Sequence, residues 1–285
     1  MSALPIDSSN PAMTALLAKS GEIAVLPHVV YRILEMTDST DAAASQVEAA
    51  ITIDPGFSAR LLTQANSAYY GLPRKVTSIR EAVTYLGFRA VRQLAMTVGV
   101  FDLFVGKNDE ESLRRRSWWR HSVDTAVVAR YLAQKLGLGR PDESYTSGLL
   151  HYIGKTVLDR FNPDAYGNVV VAERLCGDDR LAEMRVYGCD HVEVAMAVAM
   201  KWGFPESLIM GMNYLDPPEE GDVFAPLRTS VFLADRIANA VRSGSQDFDL
   251  IPIGGWAASS LNLADDTLLE LIQESTRLVA DAAKS

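Results

Sequence analysis

Four histidines, His28, His121, His151 and His191, carry the imidazole chemistry of this chain. His121 precedes an apolar stripe of Val123 and Val127, and His151 sits within Gly148-Leu149-Leu150-His151-Tyr152-Ile153-Gly154-Lys155. Asp190-His191 opens a helix in which Val194, Ala195 and Val198 stand at i+3, i+4 and i+7, so this imidazole faces the core. Asp235 lies in an apolar helix, with Val231 at i−4 and Ala238 at i+3, and a carboxylate there needs a partner because an unpaired buried charge is costly. Imidazoles and an inward carboxylate on separate helices are the donors that hold divalent ions in helical bundles, and such an ion can activate water for hydrolysis. Taken singly, each histidine is more often a hydrogen-bonded core residue; only their convergence would make a site.

Other groups invite a binding reading. Arg114-Arg115-Arg116 followed by Trp118, Trp119 and Arg120 combines cations with aromatics, as a single-stranded nucleic acid or a phosphorylated partner would require. The competing reading is stronger: on a helix, one tryptophan packs inward while the arginines stay solvated or pair with acids. Arg74, Lys75, Arg80, Arg89 and Arg92 are spread over two helices and a turn. In Asn66, Ser67, Tyr69 and Tyr70, the Asn and Ser suit a helix end with Gly71 as its left-handed residue, which favours a structural role over a binding one. Cys176 and Cys189 make neither a disulfide framework nor a zinc site and read as free thiols. Met196, Met200, Met210 and Met212 read as core filler.

Helical periodicity dominates the elements that must position these groups. Leu26, Val29, Val30, Ile33 and Leu34 form one stripe; Asp54-Pro55 caps a helix carrying Phe57, Leu61, Leu62 and Ala65. Ser78 with Glu81 three residues on is a capping box for Ile79, Val83 and Leu86, and a further pattern follows Gly87. No strand pair or repeat is evident, so an all-α fold of two packed helical lobes is expected. Residues 1–20 read as a flexible tail, 21–105 as the first lobe, 106–117 as a linker, 118–242 as the second lobe and 243–285 as a helical extension. The 285 residues, 48% hydrophobic and 22% charged, suffice for a large core and exclude a disordered chain. Twenty-seven basic against 36 acidic residues give a net charge of −9, which disfavours duplex nucleic acid across a broad face. There is no secretory signal and no apolar run long enough for a membrane span, so a cytoplasmic protein without membrane partners is expected.

Several strings together resemble the HDOD family, a non-catalytic relative of the HD-domain metal-dependent phosphohydrolases, over residues 20 to 240. They are Leu26-Pro27, Asp54-Pro55-Gly56-Phe57-Ser58-Ala59-Arg60-Leu61-Leu62, Ala65-Asn66-Ser67-Ala68-Tyr69-Tyr70-Gly71 and Ser78-Ile79-Arg80-Glu81-Ala82-Val83-Thr84-Tyr85-Leu86-Gly87. Trp119-Arg120-His121-Ser122, the Gly148 to Lys155 segment, Asp190-His191-Val192-Glu193 and Ala234-Asp235-Arg236 then match the HD core in order. The resemblance implies that the second lobe is HD-like and that His121, His151, Tyr152 and Asp235 are remnant ligand positions. In the hydrolases an aspartate follows the second histidine; here it is Tyr152, whose phenol, with a pKa of about 10, stays neutral and adds no charge to hold a metal. Where many relatives carry a further His-His pair, this chain reads Met212-Asn213-Tyr214-Leu215.

The resemblance therefore implies a degenerate metal site, no catalytic residue, no bound metal and no cofactor. The expected role is that of a non-enzymatic bacterial signal-transduction module acting on a protein partner, with a nucleotide as a further kind of ligand. His191, Lys155, Arg114, Arg115, Arg116, Asn66 and Tyr70 are the residues expected to contact ligand or partner. The alternative is a phosphohydrolase acting on a nucleotide or cyclic dinucleotide through the residual site of His121, His151 and Asp235, with Lys155 contacting the phosphate.

Overall fold

The computed structural model describes residues 10–24, 26–38, 43–67, 70–244 and 248–282. In chain order the helices are α1 (Pro11–Ile23), α2 (His28–Asp38), α3 (Ala44–Thr52), α4 (Pro55–Ala65), α5 (Ile79–Phe101), α6 (Asp109–Leu136), α7 (Pro141–Leu150) and α8 (Ile153–Phe161). They continue as α9 (Pro163–Cys176), α10 (Asp179–Tyr187), α11 (His191–Lys201), α12 (Glu206–Met212), α13 (Ala225–Ser243), α14 (Leu250–Ser260) and α15 (Asp265–Ala282). A 3-10 turn covers Asp102–Phe104, and no strand occurs among the described residues, so the all-α expectation holds. Among the described residues two compact units result: Leu26–Asp102 with residues 277–282, and Leu103–Thr276 with residues 10–24.

In the smaller unit, Asp54 caps α4 by accepting from the Phe57 amide at 2.9 Å, and Pro55 opens its first turn. Ser78 caps α5 at the Glu81 amide (3.1 Å), and the Glu81 carboxylate reaches back to accept from the Thr77 amide (2.8 Å) and hydroxyl (3.1 Å). Gly87, with φ 79°, breaks the regular backbone within α5 without ending the helix. Phe57, Leu61, Ala65, Val30, Ile33, Val47, Ile51, Ile79 and Leu94 form the core. Asn66 closes the end of α4: its amide nitrogen donates to the Leu62 and Val76 carbonyls (2.9 and 2.8 Å), and its oxygen accepts from the Val76 amide at 2.7 Å. This ties the Asn-Ser-Ala-Tyr-Tyr string to backbone architecture. Ala68 and Tyr69 lie outside the described residues, and Tyr70 is half-buried.

In the larger unit, α6 packs against α7 and α13, α8 against α11, and α9 against α10. Glycines set two of these approaches. A Cβ on Gly148 would stand 3.0 Å from the Ala126 Cα, and one on Gly154 would collide with the His191 carbonyl. The close approach of α7 to α6 and of α8 to α11 therefore depends on the Gly148 to Lys155 segment. Residues 11–20, expected within a tail, belong to α1, where Met13 and Leu16 are buried. Asn10 accepts from the Ala12 amide (2.9 Å) and donates to the Gly188 carbonyl (2.7 Å), which holds the helix start in place. Residues 109–117, expected within a linker, are the opening turns of α6. Asn108 caps them at the Glu111 amide (2.9 Å), and Glu111 returns to the Lys107 amide (3.0 Å). No helix is long and apolar enough to cross a membrane among the described residues.

Candidate functional site

His121 comes from the middle of α6, His151 from the residue that closes α7, and Asp235 from α13. All three are buried. Asp235 Oδ1 lies 2.9 Å from His121 Nε2 and 3.4 Å from His151 Nε2, the latter without hydrogen-bond geometry. Asn239, one turn further along α13, directs its amide to the same oxygen at 3.4 Å, and the Thr125 hydroxyl stands 3.3 Å from His121 Nε2. His151 Nδ1 donates to the Gly148 carbonyl at 2.5 Å, so in the neutral ring the Nε2 lone pair faces Asp235. Burial lowers the His151 pKa to about 4, which keeps the ring neutral near pH 7. Burial also works against an ionised Asp235, but pairing with His121 outweighs it and holds the carboxyl far below its usual range.

Tyr152 stacks beside both imidazoles, with ring centroids 4.6 Å from His121 and 4.2 Å from His151. Burial pushes its phenol above the ordinary value, so it stays neutral. Tyr214 meets His151 edge-on at 5.2 Å, whereas Asn213 is engaged through its carbonyl, which accepts from Arg228 at 2.6 Å. The three ligand-type atoms of His121, His151 and Asp235 lie within 4.8 Å of one another. The set supplies three donors for an ion, and beside the two imidazoles stands a neutral phenol, which adds no negative charge to them.

Beside this cluster lies a second polar group. His191 Nδ1 and its backbone amide both meet Glu183 Oε2, at 2.7 and 2.8 Å, and Lys155 Nζ reaches Asp179 at 2.5 Å while sitting 4.6 Å above the Tyr152 ring. Burial disfavours every charge here, yet pairing wins. Glu183 and Asp179 are held below the carboxylate range by His191 and Lys155, and His191 is raised by Glu183. Lys155 is therefore an ion-paired wall residue, and His191 is fully enclosed. His191 is thus enclosed, while Lys155 lines the cleft with its charge already paired. His28 is exposed at the start of α2 and belongs to the other unit.

The arginine run is divided between internal pairs and solvent. Arg115 is 1% exposed and binds Asp159 (2.5 Å), Glu111 (3.1 Å) and the Val105 carbonyl (3.1 Å), so it cannot meet a partner. Arg114 pairs with the same Asp159 at 2.5 Å and lies over the Tyr166 ring. Arg116 alone of the three is exposed. Trp118 packs on Tyr166 and Trp119 on Phe104. A cleft of about 490 Å³ opens between these groups, lined by Arg114, Trp118, Tyr152, Asp179, Tyr214 and Asp235 among others. Sequence reasoning missed Asp159, Asp179, Glu183 and Asn239. Only Asn239, four residues after Asp235, carried a readable signal, since helix neighbours at i+4 share a face.

The fold and site invite comparison with known proteins. An HDOD protein of unknown function from Geobacter sulfurreducens has a similar structure, with a TM-score of 0.74 and 27% identity, over 96% of this chain and 97% of that one. A Shewanella amazonensis protein provisionally described as a phosphohydrolase gives a TM-score of 0.73 at 24% identity, covering 95% of this chain and 98% of its own. An uncharacterised Treponema pallidum protein is 25% identical over 254 residues, which are 87% of this chain but 48% of that protein, so the chain spans about half the length of this curated relative. The HDOD domain model matches residues 23–218. Across most of its length, therefore, the chain belongs to the HDOD family.

Proposed function

We propose that the chain is a non-catalytic module of a signalling pathway that acts by binding a protein partner, and that its HD-derived cleft is no longer a hydrolytic centre. The observation that carries this is the closed cluster of His121, Asp235 and Asn239, with neutral Tyr152 stacked on both imidazoles. Hydrolysis of a phosphoester near neutral pH requires an activated water, and the neutral Tyr152 phenol beside the two imidazoles adds no negative charge to hold an ion that would activate it. The relative provisionally named a phosphohydrolase is under 25% identical and speaks to the fold alone. One feature favours the second reading, a metal-dependent phosphohydrolase: two imidazoles and a carboxylate converge within 4.8 Å.

The test is elemental analysis of protein purified without chelator, followed by assays on mononucleotides, cyclic dinucleotides and generic phosphate esters with manganese, magnesium or iron added. Substoichiometric metal and no turnover are expected. Metal-dependent turnover that disappears in His121→Ala would overturn the reading, whereas turnover that survives that substitution identifies a contaminant.

A further inference from the structure

Helices α9 and α10 form a hairpin. Gly177 ends α9 in the left-handed conformation (φ 70°), and Asp178 caps α10 by accepting from the Leu181 amide at 2.8 Å. Inward, the hairpin buries Tyr166, Val169, Ala182 and Glu183, and its turn residues Gly177, Asp178 and Asp179 form a rim of the cleft. Outward, amphipathic helices ordinarily present polar residues. These do not. Val171 is 57% exposed and Leu175 83%, four residues apart on α9, while Leu181 and Met184, three apart on α10, are 44% and 41% exposed. Both pairs have the spacing that places side chains on one helix face. Arg174 and Arg185, each next in sequence to an apolar member of this face, are exposed and make no ion pair among the described residues.

We propose that the outer face of the α9–α10 hairpin is a docking surface for an acidic amphipathic helix of a partner protein. Val171, Leu175, Leu181 and Met184 supply the apolar contact, and helix-in-groove recognition reads its partner through apolar residues at i, i+3, i+4 and i+7. Arg174 and Arg185 select the charge. On a chain of net charge −9 an acidic partner is disfavoured in general, and two exposed arginines beside an apolar face, without an ion pair among the described residues, give it a place to approach. The same hairpin carries Asp179, the partner of Lys155 in the cleft wall. The proposal rests on the reading of the chain as a partner-binding module.

The test uses the full chain and a fluorescein-labelled helical peptide of about 18 residues, long enough to hold a helix, with Leu on one face, Glu flanking it and Ala elsewhere. Anisotropy should rise with the wild-type protein at low salt and fall back as salt is added. Leu175→Asp should weaken binding about tenfold or more, as should Arg174→Glu with Arg185→Glu, whereas Ile251→Asp, at an exposed apolar site on α14, should bind as wild type. All these side chains are exposed, so thermal midpoints should stay within a few degrees of wild type. No binding by wild type, equal binding of a peptide with Lys for Glu, or equal binding by Leu175→Asp would each overturn the proposal. So would self-association in sedimentation that Leu175→Asp abolishes, which assigns the face to a second copy. Absence of peptide binding leaves turnover untouched, so failure here is separable from failure of the non-catalytic reading.

Discussion

Tyr152 offers a cation a neutral phenol where an aspartate would add one negative charge and two oxygens. With two imidazoles and Asp235 already converging, Tyr152→Asp should raise affinity for manganese or iron about tenfold or more by calorimetry, with activity recovering less because the surrounding shell has also changed. Unchanged affinity would show that some other residue closes the site. His151 gives a pH prediction. Its pKa falls from 6.5 when free to about 4 when folded, so between these values the unfolded chain binds more protons. Its contribution is therefore fully present above pH 6.5 and lost as pH falls toward 4, amounting to roughly 3 kcal/mol. Urea midpoints measured across that window should fall with acid in wild type and fall less steeply in His151→Gln; equal slopes would place the titration elsewhere. His121, His151 and Asp235 were legible in sequence because each sits on an apolar helix face. Glu183 and Asp179 were not, because a carboxylate on a short helix reads as solvated until its partner arrives from another element.

The start of α6 shows what an element adds to its residues. Asn108 and Glu111 fix the first turn, and Arg115, one turn on, reaches Asp159 on α8, 44 positions away in sequence. An exchange of Arg114, Arg115 and Arg116 for Glu would place a carboxylate against the fully buried Asp159. Arg115→Ala alone should cost about 3–5 kcal/mol, the range for removing one partner of a buried ion pair. Arg116→Ala, at an exposed position, should stay within about 0.5 kcal/mol. Chemical denaturation of the two variants decides this, and equal stabilities would mean that Arg114 alone satisfies Asp159. Helix starts marked by Asp54-Pro55 and Ser78 were readable because cap and apolar stripe agree. Asn10-Pro11 was an equally good cap and is followed by a stripe of Met13, Leu16 and Leu17, so the α1 start was legible although short, whereas the residues after Asn108 are too polar to show a stripe and that helix start reads as a linker.

For the molecule as a whole, the charge balance decides which partners can approach. The net charge of −9 repels a phosphate backbone, and the basic residues that look clustered in sequence are largely committed. In the smaller unit Arg74 pairs with Glu81 at 3.1 Å, Arg80 with Glu48 at 2.7 Å, and Arg92 donates to the Leu34 carbonyl at 3.2 Å. In the larger unit Arg114 and Arg115 share Asp159, Arg180 bridges Asp190 and Asp216, and Arg228 holds Asp222. Duplex binding requires several phosphates to be neutralised together, and each such contact contributes to a steep loss of affinity with salt. A labelled duplex of about 20 base pairs should therefore show no saturable anisotropy change with micromolar protein in about 0.1 M salt, conditions under which even non-specific binders begin to associate. Lowering the salt should at most produce weak, unsaturable association. Saturable binding that weakens steeply with salt and is lost on Lys75→Glu with Arg80→Glu would place a phosphate-binding face on the smaller unit, and would show that a local cluster prevails over the net charge of the chain.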